Sequence, residues 1–358
     1  MAPDAAGALG RRISQDLAVL TLSLVKDKCF ANARVNASAI AAGKSILTLR
    51  ETPLMEGQTA LVIAAGPSLY QGNVIERLRG YNGVIIATES CFSFCLRHDL
   101  VPDLIVTVDP DDADAITPRI VRWFGDPSLT AESLQKDDYF ARQDMDPRFG
   151  EDELRANAEL VELVNRYGPK IRICMASCAS QTVVQRATEA GMDIYWWNPM
   201  LDDDEAPNSL TRAIHELNGL PCVNAGGNVG TACWAMAHAV LGKRQVGLVG
   251  LDFGYYDDTP YFRTQYYREI LDLVGPERLD EVFVRIHNPH VGRDFYTDPA
   301  YLWYRNCFLE MAEAAECETF NCTSGGILFG PGVKWSSLDD FIQQSRFIQQ
   351  SGGKAGKH

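Results

Sequence analysis

The sequence predicts an open α/β sheet, mostly parallel and doubly wound, and three observations predict it. Short β-branched runs alternate with helical stretches along most of the chain, the order of parallel strands joined by crossover helices. The runs are nearly continuous in apolar residues, as strands covered by helices on both faces require. Each run ends in Gly, Pro, Asp or a hydroxyl residue, and sheets of this kind bind ligands in the crevice beyond the carboxyl ends of their strands.

The elements follow in order. Residues 11 to about 45 carry a helical pattern with Leu17, Leu20, Leu22 and Leu24 among polar residues, and "ETPLMEGQ" breaks it. Strands are then expected at 60–65, 83–90, 103–110, 170–177, 193–199 and 244–253, with helices between them. The chain divides into an N-terminal helical segment (1–50), a Rossmann-like nucleotide-binding core (51–345) with a C-terminal helical extension, and a disordered tail (346–358). Residues 111–165 are long for one crossover and read as either a lid over the crevice or an insertion.

The 358 residues are 46% hydrophobic, enough to bury a large core. With 33 basic against 47 acidic residues, the net charge is -14. That balance argues against a nucleic-acid surface or a polybasic membrane anchor and favours a small-molecule substrate. The apolar stretch from Leu17 to Val25 is bounded by Asp16 and Lys26, so neither a signal peptide nor a membrane span is expected. The ten cysteines lack paired C-x-x-C spacing and read as buried free thiols. A cytoplasmic location is the expectation.

The strand ends form a rim. The first ends at Gly66-Pro67-Ser68, the second at Thr88-Glu89-Ser90, the third at Asp109-Pro110 and the late one at Gly250-Leu251-Asp252. "GPSL" lacks the second glycine of G-x-G-x-x-G and the lysine of a Walker A loop. It reads either as a helix cap alone or as an anion cradle, in which Ser68 caps the helix and leaves free amides toward a phosphate. "NAGGNVGTACWAMAHAV" opens a second helix at Asn228, Gly230 and Thr231, where orphan amides favour an anion.

Four blocks in order, "LVIAAGPSL", "IIATES…DLVPDLIVTVDP", "GGNVGTACWAMAHAVLGKRQVGLVGLDF" and "YTDPAYLWYRNCFLEMAEAAECETFNCTSGG", resemble the motility-associated factor family of flagellin glycosyltransferases, a grouping also described as 6-hydroxymethylpterin diphosphokinase (MptE)-like. The first and third blocks are also similar to bacterial sialyltransferases that use CMP-activated nonulosonic acids. The resemblance implies a metal-independent transferase that moves a sialic or pseudaminic-type sugar from a CMP-sugar to a protein or glycan hydroxyl, with flagellin a candidate acceptor. It implies nucleotide contacts from Gly66, Pro67, Ser68 and Leu69, from Thr88, Glu89, Ser90 and Asp109, and from Asn228, Val229, Gly230, Thr231 and Asp252. "FNCTSGG" departs from the family's N-x-T-E-G-G block, with Ser324 in place of the glutamate.

For catalysis, the similar sialyltransferases place a basic histidine before a Thr-Asp pair and a helix. Here His290, with His287 as the lesser candidate, precedes Thr297 and Asp298. Tyr255 and Tyr256 stand where the family shows a histidine and are read as donors to the departing phosphate. His98 and His238 read as structural. Two rival readings stay open. Asp109, Asp111 and Asp112 after the third strand would hold Mg²⁺ for an ATP-dependent diphosphokinase acting on a pterin-like alcohol. Alternatively, the core is a non-catalytic nucleotide-sugar-binding or interaction module. The five tyrosines between 255 and 267 suit sugar stacking or a protein surface equally.

Overall fold

A computed structural model describes residues 7–110, 120–134 and 152–352. Its strands run β1 (Lys44–Ser45), β2 (Thr59–Ile63), β3 (Val84–Thr88), β4 (Leu104–Thr107), β5 (Arg172–Ala176), β6 (Asp193–Pro199), β7 (Cys222–Val223), β8 (Gln245–Val249), β9 (Tyr255–Tyr256), β10 (Val284–Asn288), β11 (Arg293–Thr297), β12 (Glu318–Asn321) and β13 (Val333–Trp335). The helices that matter to the site are α1 (Ala8–Val35), α2 (Ala37–Ala42), α3 (Val74–Leu78) and α4 (Glu89–Arg97). In chain order after them come α5 (Glu153–Tyr167), α6 (Val229–Ala235), α7 (Tyr267–Val274), α8 (Leu279–Val282), α9 (Pro299–Ala314) and α10 (Leu338–Gly352).

The main sheet has the order β1-β6-β5-β4-β3-β2-β8-β12-β13, with β7 on β6, and these ladders are parallel. After the short edge strand β1, the chain enters the centre with β2, steps outward through β3 to β6, then returns to β8 on the other side of β2. The doubly wound expectation therefore holds, and the order reverses between β2 and β8. Those two strands are in register from Thr59↔Gln245 to Ile63↔Val249.

Alternation along β2 explains the two layers. Leu61 and Ile63 point into a core with Leu78, Phe92 and Phe124, while Ala60 and Val62 point into one with Cys233, Trp234 and Phe308. Every residue of β2, β3, β4 and β8 is buried, and each fully buried Leu, Ile or Val contributes about 1.5–3 kcal/mol. On the second face α6 comes close because Ala232 and Ala235 are small. Its last turn widens into a π-helix over Met236–Val240.

Several elements differ from the expectation. A three-stranded antiparallel sheet, β10-β11-β9, forms a small lobe after β8. Its two longer strands read "VRIHN" and "RDFYT", with charged residues in place of the continuous apolar run that marks the core strands. β12 and β13 are also additions to the expected strands, because "ETFN" and "VKW" carry polar and charged residues where the core strands are apolar. The stretch 346–352, expected as disordered tail, continues α10 as far as Gly352. Within 111–165, Trp123 and Phe124 are buried in the core, as are Leu160 and Val164 of α5. Ile120 and Trp123 also line the cleft described below, and residues 111–119 and 135–151 lie outside the described residues. The ten cysteines are all free, seven of them buried. Burial pushes the thiols of Cys174 and Cys233 up, which keeps them protonated and inert. Among the described residues, no helix is long and apolar enough to cross a membrane.

Candidate functional site

A cleft of about 190 Å³ opens at the carboxyl ends of the strands, across the β2/β8 reversal. At roughly 10–15 Å³ per water, that is room for a dozen or more waters and so for a small ligand. Its walls are the ends of β2 (Ala64–Pro67) and β8 (Gly250–Gly254), the starts of α4 and α6, Asp109 after β4, and a group from the small lobe. Of the sequence-derived residues, it brings together Gly66, Pro67, Thr88, Glu89, Ser90, Asp109, Asn228, Val229, Gly230, Asp252 and Tyr255.

The Gly-Pro corner is a lock, and this corrects the cradle reading of its amides. The carboxylate of Asp252 accepts from the Ser68 amide at 2.8 Å and from the Ser68 hydroxyl at 2.6 Å. The Gly66 amide donates to the Gly250 carbonyl at 2.8 Å, the Leu69 amide donates to the Gly66 carbonyl at 2.9 Å, and Pro67 has no N–H. No amide of "GPSL" is left for a phosphate. Ser68 and Leu69 are buried beneath the corner and do not line the cleft. Burial pushes the Asp252 carboxyl up to about 6, against the pull of its two bonds to Ser68.

Glu89 starts α4 at the floor. It is 2% exposed, and its Oε2 has no hydrogen-bond partner among the described residues. Burial first, then the nearby charge of Asp109, holds its carboxyl well above the usual carboxylate range. A buried carboxyl with an idle oxygen is poised to meet a hydroxyl or a proton. Beside it, the Thr88 and Ser90 hydroxyls are paired to each other at 3.0 Å. On the other side Asn228 caps α6. Its Oδ1 accepts from the Thr231 amide at 2.9 Å, and its Nδ2 donates to the Thr231 hydroxyl at 2.8 Å. Thr231 is thus buried under the cap and off the lining, while the first two residues of the helix, Val229 and Gly230, face the cleft.

The small lobe supplies residues that the sequence reading left unassigned: Arg263, Gln265, Tyr266, Tyr301 and Tyr304. Tyr255 stacks on Tyr301 with centroids 5.5 Å apart, and Tyr266 meets Tyr301 edge-on at 6.1 Å. The Tyr255 hydroxyl accepts from the Gln265 amide at 3.0 Å and donates to Asp298 at 3.4 Å; the Tyr301 hydroxyl donates to Gln265 Oε1 at 2.7 Å. Tyr266 and Tyr304 join hydroxyls at 3.1 Å. The dense tyrosines at 255–267 were the available signal. Tyr301 and Tyr304 share one helix face three residues apart, a spacing that could have been read from the sequence.

Other candidates fall elsewhere. His290 is exposed off the cleft, its ring stacked on Trp335 with centroids 5.9 Å apart. His287 pairs with Asp294 at 2.7 Å on the surface. Tyr256 lies under the corner, packed on Phe295 with its hydroxyl unpartnered among the described residues, and does not line the cleft. The Thr-Asp pair is architectural. The Thr297 hydroxyl donates to the Phe253 carbonyl at 2.7 Å, fastening a residue with φ 51, and Asp298 caps α9 by accepting from the Tyr301 amide at 2.9 Å. Asp111 and Asp112 lie outside the described residues, and among the described ones no group of three or more metal-ligating side chains comes together.

Asp298 yields a pH prediction. It is fully buried, and burial pushes its carboxyl up from 3.8 to about 6 despite the amides of Tyr301 and Ala300. The folded state therefore favours the proton by on the order of 3 kcal/mol. That contribution is complete below pH 3.8 and is lost as pH rises through about 6. Asn caps helices as well as Asp does, so Asp298→Asn should flatten the fall in Tm between pH 4 and 7.5. An identical slope in both proteins would contradict it.

Comparison with known proteins places this geometry in context. Residues 32–119 match the family model described as 6-hydroxymethylpterin diphosphokinase MptE-like, the stretch that carries β2, β3, β4 and the Gly-Pro corner. The curated proteins compared include no match. Among solved structures, the chain is similar to a MAf glycosyltransferase from Magnetospirillum magneticum AMB-1, with a TM-score of 0.47 and 14% identity over 82% of this chain. The chain spans 37% of that protein's length.

Proposed function

We propose, from a chain whose β2–β4 stretch is MptE-like, that the switch-point cleft binds a CMP-sugar and transfers its nonulosonic acid to a protein or glycan hydroxyl. The charge of the lining carries this reading. Among the described residues, the cleft presents one cation, Arg263, against Glu89, Asp109 and Asp252. A nucleoside triphosphate needs several cations or a metal to balance it. A CMP-nonulosonate brings one phosphodiester and one carboxylate, with many hydroxyls and an apolar ring face. Glu89 and Asp109 suit the hydroxyls, and Tyr266, Tyr301 and Tyr304 suit the ring.

In the transfer, the bond between the anomeric carbon and the phosphate oxygen breaks and CMP takes the electron pair. The acceptor oxygen bonds to that carbon, and its proton goes to Glu89, whose carboxyl is held well above the usual carboxylate range by burial first and then by the nearby charge of Asp109. Tyr255 stays protonated, since burial holds its hydroxyl well above the usual range. Its one proton is directed to Asp298 at 3.4 Å, so donation to the departing phosphate exchanges that long bond for one to the phosphate oxygen.

A second reading has its own observation: the matched family is described by a pterin diphosphokinase. There Asp109, with Asp111 and Asp112, would hold Mg²⁺ on ATP. Thermal shift separates the readings. CMP at a hundred times its Kd should stabilise the protein by about 2.7 kcal/mol, while ATP with Mg²⁺ leaves Tm unchanged. The reverse pattern would establish the diphosphokinase reading, and silence from both would leave a non-catalytic interaction module.

A further inference from the structure

Arg263 is a cation with a fixed base and nothing to hold. It ends the short helical turn Tyr261–Arg263 in the small lobe and lines the same cleft as Glu89 and Asp109. Its backbone is tied down from several sides. Its amide donates to the Pro260 carbonyl at 2.9 Å. The buried Thr264 hydroxyl donates to the Tyr261 carbonyl at 2.7 Å. Tyr261 itself stacks on Phe283 at 4.1 Å and donates to Asp280 at 2.8 Å. Next in the chain, Gln265 is bridged to Tyr255 and Tyr301. Yet the Arg263 guanidinium is exposed and makes no ion pair or hydrogen bond among the described residues, in a chain that carries net charge -14. Other arginines nearby are spent: Arg305 donates to the Ile327 and Phe329 carbonyls, and Arg293 lies over the Tyr256 ring.

We infer that Arg263 is the residue that reads the anionic group of the ligand, a phosphate or a carboxylate, at the lobe side of the cleft. This rests on the nucleotide-sugar reading above and adds an orientation to it. Hydroxyl-bearing parts lie toward Glu89 and Asp109, where a bare anion would be repelled, and the oxyanion lies on the guanidinium beside the tyrosines. The planar fork of arginine suits either oxyanion bidentately, and a lysine would serve only as a point charge. A ligand with an anion at one end and a diol at the other has one way to sit.

Isothermal titration of wild type, Arg263→Gln and Arg263→Lys tests this with three probes: cytidine, CMP and CMP-N-acetylneuraminic acid. If Arg263 reads the phosphate, the ratio of cytidine to CMP affinity collapses about ten- to thirtyfold in the Gln variant, cytidine itself is unaffected, and Lys restores part of the loss. If it reads the carboxylate, CMP is unchanged and only the gain from CMP to the CMP-sugar is lost. In both cases the lost increment is the salt-sensitive one. Unchanged ratios in a Gln variant that still binds CMP would overturn the inference and leave the nucleotide reading standing. A wild type that binds none of the probes would remove both.

Discussion

Gly66→Ala is expected to cost about 2–4 kcal/mol of stability and to abolish any thermal shift by nucleotide. Gly66 has φ -62 and ψ 155, a conformation alanine accepts freely, so the effect is one of space. A β-carbon there would fall onto the Gly250 carbonyl oxygen and within 2.7 Å of the Asp252 carboxyl carbon. One is backbone, and the other is held by two bonds to Ser68, so neither gives way cheaply. Relief would come by separating the ends of β2 and β8, which is where the cleft lies. Gly72→Ala is the control. Gly72 has φ +72 but open space around it, so the cost is about 1 kcal/mol of backbone strain and ligand response survives. Thermal melts of the two variants with and without CMP decide the matter; a Gly66 variant with the melting point and ligand shift of wild type would refute the lock.

Glu89→Gln should do two opposite things. It keeps the shape of the side chain and removes a buried ionisable group beside Asp109. Because the folded-state carboxyl titrates above 4.5, the stability tied to its proton is present at low pH and lost as pH rises through the raised value. The variant and wild type should therefore melt together near pH 4, and the variant should melt a few degrees higher at pH 8. Transfer, in contrast, should fall about a hundredfold or more, because the amide cannot take a proton. Lower stability with transfer intact would mean that Glu89 is a structural acid only.

What the sequence discloses here follows physical range. The six strands at 60–65, 83–90, 103–110, 170–177, 193–199 and 244–253 were readable because each is apolar on both faces, a signal carried within five to ten residues. Their meeting at one rim followed from topology alone. What the residues at the rim do with their bonds did not, because that depends on partners far along the chain. Ser68 in sequence has the makings of an anion cradle, but Asp252, 184 residues away, occupies both of its donors. His290 sat at the right distance before a Thr-Asp pair, yet a hairpin turn carries it to Trp335. Arg263 was invisible because nothing in "YFRTQ" sets it apart; its lack of a partner exists only in three dimensions.

The pairing of β2 with β8 also has a history in time. While the chain is being made, β2 emerges first and finds β3 soon after, but its other neighbour is not synthesised until well over a hundred residues later. At roughly 5–20 residues per second, that leaves the edge of an entirely buried strand, "TALVI", without its second partner for many seconds. Sheet closure at that edge, and with it the Ser68–Asp252 lock, is a late event of high contact order. The cell's exposure to sticky intermediates of this protein is set there, at the strand pair that later forms the mouth of its cleft.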